Sequence, residues 1–222
     1  MNTPEKILSK DLIALGFKKL GRRTHYLQID DITVVISFER PTNQLYIQFA
    51  LIPLFLPCDG YIFYDYGNRF HTMFSDCPAL NRDATDQEVR SLCMSVIIHV
   101  EDELLPLAHK LSTASNLCTF SESATRPFGR RYMRFIHCPP EKLRYLFMYS
   151  SIYAGDYAKA HKAAKEYIRS VEKCSYLIEK LRNEKRSEGE EIIGLLETKQ
   201  YSELRNRLNK IIETNLEMFE PL

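Results

Sequence analysis

Tryptophan is absent from this 222-residue chain, and glycine occurs only eight times. So few glycines leave little material for the backbone loops that cradle nucleotide phosphates, and no Gly-rich phosphate loop, GxSxG elbow or HExxH helix occurs. Paired cysteines are missing too. Cys58, Cys77, Cys93, Cys118, Cys138 and Cys174 lie far apart with no CxxC among them. Several sit among apolar residues as small buried thiols do, so they are read as reduced, in a cytoplasmic protein. No apolar run approaches the ~18 residues of a membrane helix. The opening MNTPEKILSKDL carries charges where a signal peptide needs an apolar core, so no membrane partner is expected. Nor is there an excess of charge: 30 Lys and Arg against 29 Asp and Glu give +1, so electrostatic recognition has to be local. What is plentiful is tyrosine, with thirteen copies.

The length suffices for one large or two small domains with a real core. Thr3 and Pro4 suit an N-cap and first turn, Leu8, Leu12 and Leu15 recur at helical spacing, and Gly16 closes the segment. From Arg23 the period becomes two. His25, Leu27 and Ile29 are followed by Ile32, Val34, Ile36 and Phe38, which predicts a hairpin turning at Asp30-Asp31. A turn at Pro41-Thr42-Asn43 then leads into Leu45, Ile47, Phe49 and Leu51, the third strand of an antiparallel meander. Residues 60–74 carry aromatics on both alternations and fit either a fourth strand or a loop.

Val89, Leu92, Val96, Val100, Leu104, Leu107 and Leu111 predict a long helix over 86–113 lying across one sheet face, with Pro106 as its kink or restart. Residues 113–140 are rich in Ser, Thr, Pro and Gly, lack a period, and read as a boundary. Helices are then expected over 140–153, 157–182, 188–198 and 201–219. The expected fold class is therefore α+β. Residues 1–115 supply an N-terminal helix and a three- or four-stranded antiparallel sheet under a long helix, 116–138 connect, and 139–222 form all-α helical hairpins.

Two resemblances follow from particular residues. "AGDYAKA", residues 154–160, resembles the turn of a tetratricopeptide repeat, with Gly155 for the tight turn, Tyr157 between the helices and Ala160 allowing close approach. A weak second copy appears when Tyr201 is set on Tyr157, 44 residues away. Residues 12–51, with Gly16, Phe17, Lys18, Lys19, Gly21, Arg22 and Tyr26 in order, resemble the opening of the bacterial domain-of-unknown-function family numbered 4304. That resemblance implies a helix, an aromatic-bearing strand, two further strands and a following helix. It also implies a bacterial source and, through relatives near toxin genes, an immunity protein.

No catalytic, cofactor-binding or metal-ligating residue is assigned from the sequence, and no cofactor is expected. His99 and Glu103 in "HVEDE" are four apart on a helix, but a metal needs a third ligand, and His109 and Asp102 are weak choices. The pair is read as a solvated flank. His137 and Cys138 are sequence neighbours whose side chains point apart, so they are not read as an activated thiol. "RPFGRRYMRF" interleaves Arg126, Arg130, Arg131 and Arg134 with Phe128, Tyr132 and Phe135. Guanidinium forks there suit phosphates or carboxylates, and rings suit bases or peptide. The run "EKLRNEKRSEGEE", residues 179–191, reads as a solvated helix end and loop. The cations Lys18, Lys19, Arg22 and Arg23 read as the solvent side of a helix-to-strand joint.

The expected role is non-catalytic protein binding, as an immunity or adaptor protein. The candidate surfaces are Tyr61, Tyr64, Tyr66 and Arg69 in the first half and Tyr149, Tyr153 and Tyr157 in the second, since tyrosine offers contact area with a polar tip. The competing class is a nucleic-acid or anion binder using Arg126, Arg130, Arg131, Tyr132 and Arg134 with Lys18, Lys19, Arg22 and Arg23. The partner's identity and the oligomeric state are not legible.

Overall fold

A computed structural model describes residues 4–41, 43–58, 65–81, 83–125, 136 and 138–220. After α1 (Pro4–Ala14) come β1 (Lys18–Lys19), β2 (Thr24–Ile29), β3 (Ile32–Glu39), β4 (Gln44–Pro53) and, later, β5 (Gly67–Arg69) and β6 (Leu80–Asn81). The first five strands pair antiparallel in chain order, and β6 pairs with β4. The period-two pattern works as expected. Ile32, Val34, Ile36 and Phe38 of β3, with Leu45, Ile47, Phe49 and Leu51 of β4, share one core with Leu8 and Leu12 of α1. Val89, Leu92 and Val96 of α3 (Asp86–His99) join the same core. The hairpin turns at Asp30, which takes a φ of 48°. The cationic joint adds an edge strand, β1, whose two lysines stay exposed. Lysine there discourages a further chain from pairing with the edge.

Residues 67–73 settle as a short strand running into α2 (Phe70–Met73), rather than as one long fourth strand. The long helix begins at a capping box, with Thr85 Oγ1 accepting from the Glu88 N–H and Glu88 returning to the Thr85 N–H at 2.7 Å. It then widens into a π-helical turn, Val100–Leu104, before α4 (Leu105–Leu111). Pro106 has no N–H to continue the ladder, and the Leu105 N–H reaches the Val100 carbonyl five residues back.

Two expectations fail in the second half. The Ser/Thr-rich stretch taken as a connection from residue 116 contains α5 (Ala114–Ala124), with Leu117, Cys118 and Phe120 buried. The hydroxyls of Thr119 and Ser121 find partners within the helix, with Ser121 Oγ donating to the Leu117 carbonyl at 2.7 Å, so polar composition here does not mean a loop. The single helix expected over 157–182 is two. After α6 (Pro140–Tyr153), α7 (Tyr157–Glu172) ends early, and α8 (Glu179–Glu197) absorbs the whole charge run read as a loop. The break contains neither Gly nor Pro. Arg182 instead donates to the carbonyls of Cys174 at 3.1 Å and Leu177 at 2.9 Å.

The 44-residue repeat is real in geometry. Gly155 and Lys199 both take left-handed backbone, at φ 77° and 56°. In the first copy the Asp156 N–H bonds the Ser151 carbonyl and the Gly155 N–H bonds the Ile152 carbonyl. In the second, Gln200 bonds Leu195 and Lys199 bonds Leu196 in the same way. Both are Schellman turns. Tyr157 and Tyr201, the first residues of α7 and α9 (Tyr201–Glu217), stack face to face at 3.8 Å between centroids and 1° between planes.

The halves do not have separate cores. Apolar residues of α6, α7 and α8 belong to the cluster that also holds the sheet's inner face. On the outer face, Tyr26, Val35, Ala50 and Ile52 are covered by Phe219, just after α9. Asn215 is 1 % exposed and donates to the carbonyls of Leu54 and Leu56 at 2.7 and 2.6 Å.

Two predictions follow from this packing. His25 is buried, its Nε2 2.9 Å from Ser9 Oγ, and burial followed by the Lys19 charge lowers its pKa from 6.5 to about 4. Below pH 6.5 the unfolded chain takes up a proton that the folded chain refuses until about pH 4. Stability from this group is therefore complete above pH 6.5 and declines as the pH falls toward 4, by about 3 kcal/mol. Denaturant titrations from pH 7 to 4 should show a steeper loss in the native chain than in His25→Gln. At the paired turns, Lys199→Gly should stabilise by about 0.5–1 kcal/mol and Gly155→Ala should destabilise by about 1 kcal/mol, read as shifts in the urea midpoint.

Candidate functional site

The period of an α-helix brings Tyr145 and Tyr149 of α6 onto one face, with ring centroids 4.8 Å apart. Both hydroxyls donate to Glu188 Oε1, at 2.7 and 2.6 Å. Glu188 reaches them because its neighbour is Gly189, where α8 crosses close to α7. A methyl group at that position would sit 2.7 Å from Ile168 Cγ1. From α7 comes Tyr167, 1 % exposed, its ring 5.1 Å from that of Tyr145. Its hydroxyl has no hydrogen-bond partner among the described residues.

These side chains border a cleft of about 360 Å³. The sheet side supplies Leu56, Pro57, Asp65 and Tyr66, and the helical side closes it with Glu141, Leu177, Leu181 and Glu184. Tyr66 donates to the Lys142 carbonyl at 2.9 Å, and the Lys142 ammonium donates to Asp65 Oδ2 at 2.8 Å. Glu141, itself buried, accepts from the Tyr176 hydroxyl. Lys185 holds its Nζ 5.6 Å from the Tyr145 ring centroid, a cation over an aromatic face.

The electrostatics are one-sided. Among the described residues, four carboxyl groups (Asp65, Glu141, Glu184 and Glu188) face the cleft against two ammonium groups, Lys142 and Lys185. Burial, reinforced by the neighbouring acidic groups and phenols, pushes the hydroxyls of Tyr66, Tyr145 and Tyr149 well above their ordinary value. Burial and then the carboxylates of Glu188 and Glu141 do the same to Tyr167. The phenols therefore remain protonated donors at any physiological pH. Nearby Cys138 is pushed up to about 12, first by burial and then by Asp65 and Glu141, which makes it a poor nucleophile. Rings, carboxylates and protonated phenols suit holding a cation rather than attacking a substrate.

Of the residues singled out from the sequence, Tyr66 is buried in the cleft wall rather than displayed on a surface. Arg69 is exposed, its guanidinium carbon 4.6 Å from the Tyr46 ring centroid. Tyr149 binds Glu188, Tyr153 stacks on Phe55 at 5.0 Å, and Tyr157 stacks on Tyr201. Tyr61, Tyr64, Arg126, Arg130, Arg131, Tyr132, Arg134 and His137 lie outside the described residues. Glu188, Tyr145 and Tyr167 were not legible as a site. The tyrosine spacing on α6 was the available signal, and the mixed charge run concealed Glu188. No family model, curated protein or solved structure matches the chain.

An unpartnered buried hydroxyl costs about 1–3 kcal/mol. Tyr167→Phe should therefore raise the unfolding free energy of the unliganded chain by about 1 kcal/mol, whereas Tyr149→Phe, which loses a bond to Glu188, should lower it by about 1 kcal/mol. Urea denaturation of the two variants checks both signs.

Proposed function

We propose that this chain is a non-catalytic binding protein, of the adaptor or immunity kind, which takes a lysine or arginine side chain of a partner protein into the cleft. The observation that carries the reading is the Tyr167 hydroxyl, buried without a partner among the described residues, in a cleft where the described carboxyl groups outnumber the described ammonium groups. A ligand donor or water-linked cation would satisfy that hydroxyl and the acidic excess together. The Lys185 ammonium over Tyr145 models the contact with a group from the chain's own surface.

The rim supports a protein ligand over a free amine. Tyr176, Ile178 and Leu181 are 60, 68 and 37 % exposed, and Leu181 also lines the cleft. Such apolar side chains beside a charged recess match the anchor-and-rim pattern of protein interfaces. The acidic balance disfavours a phosphate ligand at this place, so the nucleic-acid alternative draws no support from the cleft. The likeness of residues 12–51 to the domain-of-unknown-function family accords with a bacterial immunity role and supplies no mechanism.

Calorimetric titration with an N-acetylated, C-amidated Gly-Arg-Gly peptide, and with its neutral citrulline counterpart, tests the reading. The arginine peptide should bind and the citrulline peptide should not. Glu188→Gln should weaken binding at least about tenfold, the value of one charge-assisted contact. Equal binding of the two peptides, or no binding of either, would remove the cleft as a cation site.

A further inference from the structure

Away from the cleft, three side chains of different chemistry converge where the segment after α2 meets the end of α3. The donor atoms of Asp76, Cys77 and His99 all lie within 4.8 Å of one another. We propose that these three residues form a binding site for a divalent transition-metal ion of the zinc type.

The imidazole is already held as a ligand would be. Phe74 stacks on His99 with centroids 3.7 Å apart and planes 11° apart, which fixes the ring. Nδ1 lies 3.4 Å from Glu103 Oε1, and Nε2 lies 2.9 Å from Asp76 Oδ1. A metal-bound histidine usually directs its other ring nitrogen at a carboxylate, which sets the tautomer and strengthens the ligand. Glu103 fills that part. It stands four residues after His99, inside the π-helical turn. Asp76 is steadied by the Ser95 hydroxyl as well as by His99.

The His99–Asp76 separation favours insertion of an ion, and the Cys77 sulfur, within 4.8 Å of both donors, would close toward it. Tetrahedral zinc, with bonds of about 2.0 Å to nitrogen and oxygen, holds those two donors about 3.3 Å apart. The 2.9 Å hydrogen bond between His99 and Asp76 needs to open by only a few tenths of an ångström. The buried sulfur of Cys77 would complete the set from the protein side, while the His99 and Asp76 side chains are 17 and 54 % exposed and leave a path from solvent. A thiol with an imidazole excludes calcium and magnesium, which prefer oxygen donors, and suits zinc or cobalt(II). Three protein ligands leave the fourth position to water.

Chelator-treated full-length chain titrated with cobalt(II) tests the site. The expected result is one ion per chain, with the thiolate-to-cobalt charge-transfer band and the strong visible bands of four-coordinate cobalt, both abolished by one equivalent of zinc. Cys77→Ser should remove the charge-transfer band, whereas Cys174→Ser should keep it. Glu103→Gln should retain the band and weaken binding about tenfold. His99→Gln, at a partly exposed position, should abolish tight binding and decides the matter if Cys77→Ser fails to fold. Cobalt without a charge-transfer band, or binding unchanged in His99→Gln, would overturn the proposal.

Discussion

The carboxylate of Asp31 accepts from the Ala114 N–H at 2.9 Å through one oxygen and from the Tyr153 hydroxyl at 3.3 Å through the other. Its backbone N–H reaches the Ser112 carbonyl, and its carbonyl receives the Leu54 N–H, at 2.9 and 2.8 Å. Beside it, Asp30 accepts from Ser112 Oγ at 2.7 Å. One two-residue turn thus fixes the end of β4, the start of α5 and the end of α6. The chemistry suits the task, because the first N–H groups of a helix lack internal partners and carry partial positive charge, and a carboxylate satisfies both. A hairpin tip that would otherwise lie open to water becomes the joint between the sheet and the helices.

The cleft depends on that joint. Helix α6 is held near its C-terminus by Tyr153 on Asp31 and near its N-terminus by Tyr66 on the Lys142 carbonyl. Between these anchors Tyr145 and Tyr149 can face only α7 and α8, where Glu188 meets them. Asn215 and Phe219 close the circuit from the other side by seating the end of α9 on the outer sheet face. Core packing is therefore continuous from the first helix to the last, and the cleft lies where the two halves meet.

The cleft also holds a local conflict between stability and recognition. The buried Tyr167 phenol finds no hydrogen-bond partner among the described residues, which is unfavourable, and a phenylalanine of the same shape would avoid the penalty. Features of this type mark places where a chain retains chemistry that its own fold does not use. His99 differs, since each of its ring nitrogens already faces a carboxylate and the ring is stacked. That ring is prepared in orientation rather than left unsatisfied.

Much of the fold was legible where a short-range period was at work. The β2–β3 turn at Asp30-Asp31, the alternation of β3 and β4, the register of α3 and the 44-residue recurrence of a helical hairpin all follow from spacing that local geometry enforces. Elements held by distant partners were hidden. Helix α5 looks like a linker because its buried Ser121 is satisfied by carbonyls of the same helix, and the break before α8 has neither Gly nor Pro and is spanned by Arg182 bonds to its carbonyls. Of the cleft, Tyr66 and Tyr149 were singled out from the sequence, though as surface residues rather than as parts of one site. Glu188, Tyr167 and the trio Asp76, Cys77 and His99 come together through contacts between elements far apart in the chain. Period and turn chemistry act over a few residues and so can be read along the sequence, whereas a site is a matter of which faces pack, and that is decided only when the whole core closes.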